Sequence, residues 1–169
     1  YSEILPSQTD LRAKVTANYA SPMTAKLRAR ASGYDEIILV DEDGFLAEGP
    51  TTNLFLVDTK GQLLTPTAAK VLHGVTRSSI LELARVEGIP CRETQLLPEA
   101  LLGAAEAFLT GTTAGVWPIE SVDGIELGDG CPGPISTRLR DRFRRAARVD
   151  AGASSRLRCM FRPVFQRFW

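Results

Sequence analysis

Two side chains of this sequence have the types and surroundings needed for carbonyl–amine chemistry. Lys14 opens the segment 14–19, Lys-Val-Thr-Ala-Asn-Tyr, and is expected on a short, half-buried strand. Partial loss of solvent lowers the pKa of a lysine, which can then form a Schiff base with an aldehyde cofactor. Glu48 follows the apolar residues 45–47. A carboxylate withdrawn from water there can hold a ring nitrogen in its protonated form.

Neither role is fixed by these residues alone. The chain has four lysines. Lys26 lies in a predicted amphipathic helix and Lys60 in a predicted turn, so both are interpreted as solvated. Lys70, in a polar loop, is a weaker rival to Lys14. The plain alternative for Glu48 is a solvent-exposed carboxylate at the end of a strand.

Two turns rich in small residues predict anion-binding sites. Residues 74–79, Gly-Val-Thr-Arg-Ser-Ser, lead into a predicted helix, whose first backbone N–H groups can donate to an anion together with the Thr76 hydroxyl. Residues 110–115, Thr-Gly-Thr-Thr-Ala-Gly, form a second such turn. Each is weak by itself, because Gly-x-Thr before a helix is also an ordinary capping pattern. His73, the sole histidine, is interpreted as a loop residue.

In this order and spacing, the four motifs resemble the class IV (fold-type IV) pyridoxal-phosphate enzymes. These are the branched-chain, D-amino-acid and (R)-amine transaminases and the aminodeoxychorismate lyases. The resemblance covers residues 14–143. It implies that Lys14 forms the Schiff base with pyridoxal 5'-phosphate and then moves a proton between substrate and cofactor. It also implies that Tyr19 hydrogen-bonds the cofactor's 3-oxygen and that Glu48 binds the pyridine nitrogen.

The same resemblance implies the remaining contacts. Asn53 matches the family pattern after the glutamate and is expected to fix the turn. Trp117 follows the second turn and either walls a substrate pocket or packs in the core. Further cofactor contacts fall on Leu72, Val75, Thr76 and Thr112, and substrate contacts fall on Thr113 and Ala114.

The expected function is reversible transfer of an amino group between an amino acid or amine and a 2-oxo acid, in a homodimer. One alternative is a lyase of the aminodeoxychorismate type, which needs no 2-oxo-acid acceptor. Another is a non-catalytic fragment, since the family's smaller N-terminal domain, which supplies a phosphate-binding arginine, has no counterpart here. A nucleic-acid-binding module is a third, and it rests only on the arginine-rich end.

Length and composition predict one domain over residues 1–150, followed by a basic, aromatic tail over residues 151–169. The net charge is zero, yet residues 138–169 hold ten of the 20 basic side chains. We interpret them as a solvated helix face and a tail, and expect no nucleic-acid or membrane partner. The three cysteines have neither disulfide nor zinc spacing, which favours free thiols in the cytoplasm and no metal.

Periodicity and turn residues predict an α+β fold. The expected architecture is a mainly antiparallel sheet or pseudo-barrel with flanking helices, the large domain of the fold-type IV enzymes. The last helix is expected to carry an apolar stripe of Ile135, Leu139 and Phe143. Helices are predicted from Ser21-Pro22 to residue 32 and over 76–87 and 98–106; strands over 36–41, 45–48, 53–57, 62–65 and 107–110; and a tight hairpin at 122–125.

Overall fold

The computed structural model of the protein describes residues 17–147. Lys14, the predicted tail 151–169 and Cys159 therefore lie outside the described residues. The helices are α1 (Ala17–Ala31), α2 (Val75–Val86), α3 (Pro98–Leu102) and α4 (Pro134–Ala147). The strands are β1 (Glu48–Gly49), β2 (Thr52–Val57), β3 (Leu63–Thr65), β4 (Cys91–Glu93), β5 (Glu106–Gly111), β6 (Gly115–Ile119), β7 (Ser121–Val122) and β8 (Ile125–Glu126).

One six-stranded sheet organises the described residues. Its strand order is β4-β3-β2-β5-β6, and β1 pairs with the start of β2. The central pair, β2 with β5, is antiparallel and in register from Asn53 opposite Thr110 to Val57 opposite Glu106. Among the described strands only β3 and β4 run parallel, because α2 connects them. The predicted α+β fold with a mainly antiparallel sheet is confirmed.

Both faces of the sheet are covered, which explains why every residue of β2 is buried. On one face Phe55 and Phe108 stack with ring centroids 5.2 Å apart. Ile80 of α2 and Leu139 of α4 pack against them. The opposite face is a separate apolar layer formed by Val40, Leu46, Leu54, Leu56, Leu101 and Leu109.

Helix α4 is fixed at its start by a buried carboxylate from the sheet. The backbone N–H of Ile135 donates to Oε1 of Glu106 at 2.8 Å, and that of Ser136 donates to Oε2 at 2.7 Å. These bonds satisfy N–H groups that a helix leaves open at its first turn. The predicted stripe is confirmed, since Leu139 is fully buried and Ile135 and Phe143 pack beside it.

The predicted start of α1 at Ser21-Pro22 is wrong. The helix already includes Ala17, and Pro22 lies inside it. Pro22 is the sixth residue of α1 and has no N–H to donate, so one i→i−4 bond of the helix is missing there. Among the described helices, none combines the length and apolar character that a membrane span requires.

Other boundaries also differ from the prediction. Segments 36–41 and 45–48 meet through a single bridge, Val40 with Leu46, rather than as two full strands. The helix predicted over 98–106 ends at Leu102, because Glu106 already belongs to the central strand β5. Strands β4 and β6 were not predicted at all.

Candidate active site

A cleft of about 910 Å³ lies at the end of the sheet. It is enclosed by α1, the β1–β2 turn, the start of α2 and the β5–β6 turn. These elements are far apart in sequence, yet they bring together every predicted site residue that the structure describes. The cleft is lined by Tyr19, Glu48, Leu72, Val75, Thr76, Thr112, Thr113 and Ala114.

Glu48 lies at the floor of this cleft and is held by two donors. Asn53 donates from Nδ2 to Oε2 at 2.8 Å. The backbone N–H of Leu72 donates to Oε1 at 3.3 Å and to Oε2 at 3.2 Å. Burial raises the pKa of Glu48 to about 7, and the opposing effects of the Leu72 hydrogen bond and the Arg77 charge are smaller. A cation bound beside this carboxyl would therefore be stabilised, because it would favour the ionised form.

Asn53 joins the glutamate to the loop before α2. Besides Glu48, its Nδ2 donates to the carbonyl of Leu72 at 2.9 Å. The loop approaches so closely that a Cβ on Gly74 would lie 2.2 Å from Oδ1 of Asn53. A glycine is therefore needed at position 74. Asn53 positions both the carboxylate of Glu48 and the loop that leads into α2.

The first turn of α2 opens onto the cleft through Val75 and Thr76. The N–H groups there have no acceptor within the helix, so they form an anion site. Behind them Arg77 is only 4% exposed, and its Nη2 donates to Pro66 O at 2.9 Å and to Glu93 Oε2 at 2.8 Å. Sequence reasoning missed this anchor, because nothing in the spacing of positions 77 and 93 signals an ion pair.

The β5–β6 turn supplies hydroxyl groups. Thr112 and Thr113 are exposed at the cleft, whereas Thr110 is 1% exposed. The buried hydroxyl of Thr110 has no hydrogen-bond partner among the described residues, and the same is true of Thr52, which also lines the cleft. A partly buried carboxyl, an open helix start and such hydroxyls fit a ligand with a basic ring nitrogen and a phosphate.

The interpretation of Lys26 as a solvated side chain is wrong. Its Nζ lies 2.5 Å from Oε2 of Glu36, the side chain is 13% exposed, and both residues line the cleft. By contrast Lys70 points into an acidic loop, with its Nζ 2.9 Å from Oδ2 of Asp43, and is outside the cleft lining. Lys26 thus replaces Lys70 as the rival to Lys14.

The interpretation of His73 as a loop residue is confirmed, whereas the placement of Trp117 on a loop is wrong. His73 is exposed in the loop before α2, with its Nε2 2.8 Å from the carbonyl oxygen of Ala68. Trp117 belongs to strand β6 rather than to a loop and is 41% exposed. The described residues contain no group of three His, Cys, Asp or Glu side chains placed to hold a metal ion.

Comparison with known proteins gives the family. The model of the amino-transferase class IV family matches residues 1–122. The branched-chain-amino-acid aminotransferase of Escherichia coli strain K12 is 37% identical over 143 residues, which are 85% of this chain and 46% of the relative. That of Pseudomonas aeruginosa is 37% identical over 132 residues, 78% of this chain and 43% of the relative. The chain belongs to the class IV aminotransferase family, and the resemblance is confirmed.

Solved structures agree in fold. The branched-chain amino acid aminotransferase of Thermobaculum terrenum in its PLP form has a TM-score of 0.78 and 37% identity, covering 81% of this chain and 45% of its own. A structure of the branched-chain amino acid aminotransferase from Escherichia coli has a TM-score of 0.78 and 37% identity, covering 84% of this chain and 50% of its own. This chain spans about half the length of the curated relatives it matches.

Proposed function

We propose that this chain carries the pyridoxal-phosphate site of an enzyme that transfers an amino group between an amino acid or amine and a 2-oxo acid. The observation that carries the proposal is Glu48, a partly buried carboxyl of raised pKa that lines the same cleft as the open start of α2. Membership of the class IV family supports the reaction class. Related structures are of enzymes described in the PLP form.

Glu48 would bind the ring nitrogen of the cofactor and keep it protonated. Asn53 and Leu72 keep the carboxylate in place for this contact. When bound, pyridoxal phosphate supplies an electron sink for charge at the substrate's α carbon. The ε-amino group of Lys14 would hold the cofactor covalently and would accept and return the proton at that α carbon.

The first N–H groups of α2, at Val75 and Thr76, and the hydroxyl of Thr112 would bind the phosphate. Leu72 would pack on the ring, and Tyr19 would donate a hydrogen bond to its 3-oxygen. Thr113 and Ala114, both exposed at the cleft, would face the substrate. The position of each of these residues on the cleft supports its assigned role.

A covalent-trapping experiment tests the proposal. The purified chain is incubated with pyridoxal phosphate, reduced with borohydride and mapped by mass spectrometry. We expect the label on Lys14, and we expect Lys14→Ala to lose it while Lys26→Ala and Lys70→Ala retain it. Labelling of Lys26 or Lys70 in the unmodified protein, or none at all in folded protein, would contradict the assignment.

The proposal includes a homodimer in the cytoplasm. The exposed free thiols of Cys91 and Cys131 support a reducing compartment.

An assay without the 2-oxo-acid acceptor separates amino transfer from a lyase reaction. In a transaminase, turnover of the amino donor should stop after one equivalent. Continued release of pyruvate without an acceptor would identify a lyase instead.

A further inference from the structure

The ion pair between Lys26 and Glu36 lines the cleft but has no part in the roles assigned so far. The side chains are only 13% and 10% exposed. Besides Lys26, Glu36 has a second donor, because its Oε1 accepts the backbone N–H of Ile37 at 3.2 Å. Removing either partner of such a pair leaves an uncompensated charge in the wall of the cleft.

Helix α1 presents one of its faces to the cleft. Tyr19, Pro22 and Lys26 all line it, and spacings of three and four residues place them on the same side of the helix. Tyr19 and Lys26 are therefore about two turns apart on one element. A displacement of α1 at Lys26 also moves Tyr19.

Glu36 begins the segment that is bonded to the backbone of Glu48. The N–H of Leu39 donates to the carbonyl of Glu48 at 2.8 Å, and the N–H of Ala47 donates to the carbonyl of Leu39 at 2.9 Å. The ion pair consequently joins the helix that carries Tyr19 to the strand that carries Glu48.

Apolar packing between α1 and this segment is made by small side chains. From α1, Ala25 and Ala29 enter the buried cluster that contains Ile37, Leu39 and Ala47. An alanine buries little apolar area, and such packing constrains a helix less than an ion pair, which defines both a distance and a direction.

We propose that Lys26 and Glu36 are positioning residues of the cofactor site. Their ion pair sets the separation between the Tyr19 hydroxyl, which would reach the cofactor's 3-oxygen, and the Glu48 carboxylate, which would reach its ring nitrogen. The start of α2, which would bind the phosphate, belongs to a different wall of the cleft and is independent of the pair. This inference rests on the proposed function for the identity of the ring.

Two probes separate ring contacts from phosphate contacts. Pyridoxamine 5'-phosphate, which cannot bond covalently to a lysine, and inorganic phosphate are titrated against the unmodified chain, Lys26→Met, Lys26→Arg and Glu36→Gln. Lys26→Met and Glu36→Gln should each weaken pyridoxamine 5'-phosphate by about tenfold, the equivalent of one hydrogen bond to an ionised group, and leave the affinity for inorganic phosphate unchanged. Lys26→Arg keeps the charge and should retain affinity within about threefold.

A double-mutant cycle with Tyr19→Phe shows whether the pair acts through Tyr19. Once the phenol oxygen is gone, Lys26→Met should cost about threefold or less in affinity for pyridoxamine 5'-phosphate, because the contact that it positions no longer exists. Lys70→Met is the matched control: it breaks an ion pair with Asp43 outside the cleft lining and should leave every affinity unchanged.

Hydrogen exchange of ligand-free protein tests the link to Glu48 separately. The amides of Leu39 and Ala47 should exchange several-fold faster in Lys26→Met than in Lys70→Met. Equal exchange in the two variants, equal losses for both probes, an additive cycle, or a Lys26→Arg variant as weak as Lys26→Met would overturn the inference. An unmodified chain that does not bind pyridoxamine 5'-phosphate would count against the cofactor site instead, and the exchange rates would still decide whether the pair fixes the backbone of Glu48.

Discussion

Glu48 combines two properties that seldom occur together in a surface carboxylate. It is withdrawn from water, which raises its pKa to about 7, and it accepts hydrogen bonds from Asn53 and Leu72. The first property makes a bound cation favourable, and the second fixes where that cation must lie. Its position on the cleft was predictable from the sequence through the spacing of the Glu48 and Asn53 motif.

Glu48→Gln should retain cofactor labelling but lose turnover. The amide keeps the shape of the side chain and removes the charge that holds the ring nitrogen protonated. Single-turnover conversion of the cofactor to its amine form, measured in the intact enzyme, should fall by roughly two orders of magnitude or more. Glu99→Gln, an exposed residue of α3, should have no effect. An unchanged rate in Glu48→Gln would remove Glu48 from the mechanism.

The raised pKa of Glu48 also predicts a pH-dependent stability. A carboxyl that binds its proton more tightly when folded contributes most below its ordinary pKa of 4.5, and this contribution is lost as the pH rises through about 7. Urea unfolding of cofactor-free protein should show a free energy that falls across this range by roughly 1–3 kcal/mol more than in Glu48→Gln. Parallel pH profiles for the two proteins would show that burial of Glu48 is not coupled to folding.

Other residues of the site could not be predicted, because tertiary approach alone gives them their environment. Lys26 is buried because Glu36, ten positions later, folds back onto α1. Arg77 meets Glu93 only because α2 lies between two parallel strands. The hydroxyl of Thr110 has no hydrogen-bond partner within residues 17–147, and the register of β5 with β2 places this residue opposite Asn53.

At the scale of elements, regular patterns were predicted well and edge strands were missed. Helix α2 was placed to within a residue at either end, since Gly88, with φ of 69°, stops it as glycine does after helices. Strand β4 is fully exposed and carries no apolar alternation. Strand β6 contains Pro118, which is tolerated because β6 is an edge strand.

The two hydrogen bonds that Glu106 accepts from the start of α4 predict that replacing this one side chain destabilises the fold. Glu106→Ala removes both acceptors for the first N–H groups of α4 and leaves them unpaired beside the sheet. The free energy of unfolding in urea should fall by roughly 1–3 kcal/mol. Glu126→Ala, which alters an exposed carboxylate, is the control and should change it by less than about 0.5 kcal/mol. Equal effects of the two substitutions would contradict a capping role for Glu106.

At the scale of the whole molecule, several large apolar side chains are exposed together. Tyr34, Leu102 and Trp117 are 39%, 45% and 41% exposed, and all three line a cavity of about 380 Å³ beside the apolar layer of the sheet that contains Leu109. Large apolar groups gathered in one place favour association. The resemblance further implies that the family's other domain supplies a phosphate-binding arginine and one wall of the substrate pocket.

We therefore expect the 169-residue chain alone to self-associate and to show little amino transfer. The same chain joined to the preceding half of a branched-chain relative should be active with alanine and 2-oxoglutarate or with an amine and pyruvate. Sedimentation and these assays on both proteins provide the measurement. Full activity of a monomeric 169-residue chain would show that the other domain is dispensable.

Deleting residues 154–169 should leave folding and Lys14 labelling intact. The apolar stripe that fixes α4 on the sheet, Ile135, Leu139 and Phe143, lies wholly before the deletion. Thermal unfolding followed by circular dichroism should give the same midpoint within about 2 °C, which for a chain of this length is roughly 0.5–1 kcal/mol. A large drop in the unfolding midpoint would show that residues 154–169 contribute to the packed core.

The hydrogen bond from Leu72 to Glu48 gives the site a built-in spectroscopic reporter. The amide proton of Leu72 faces both carboxylate oxygens. An ionised carboxylate is a stronger acceptor than a neutral carboxyl, so this proton's NMR resonance should move downfield as Glu48 ionises. In free protein the resonance should titrate with a midpoint of about 7. Once a cation occupies the cleft, the resonance should stay at its downfield position throughout that pH range, so a single amide signal reports occupancy of the site without turnover.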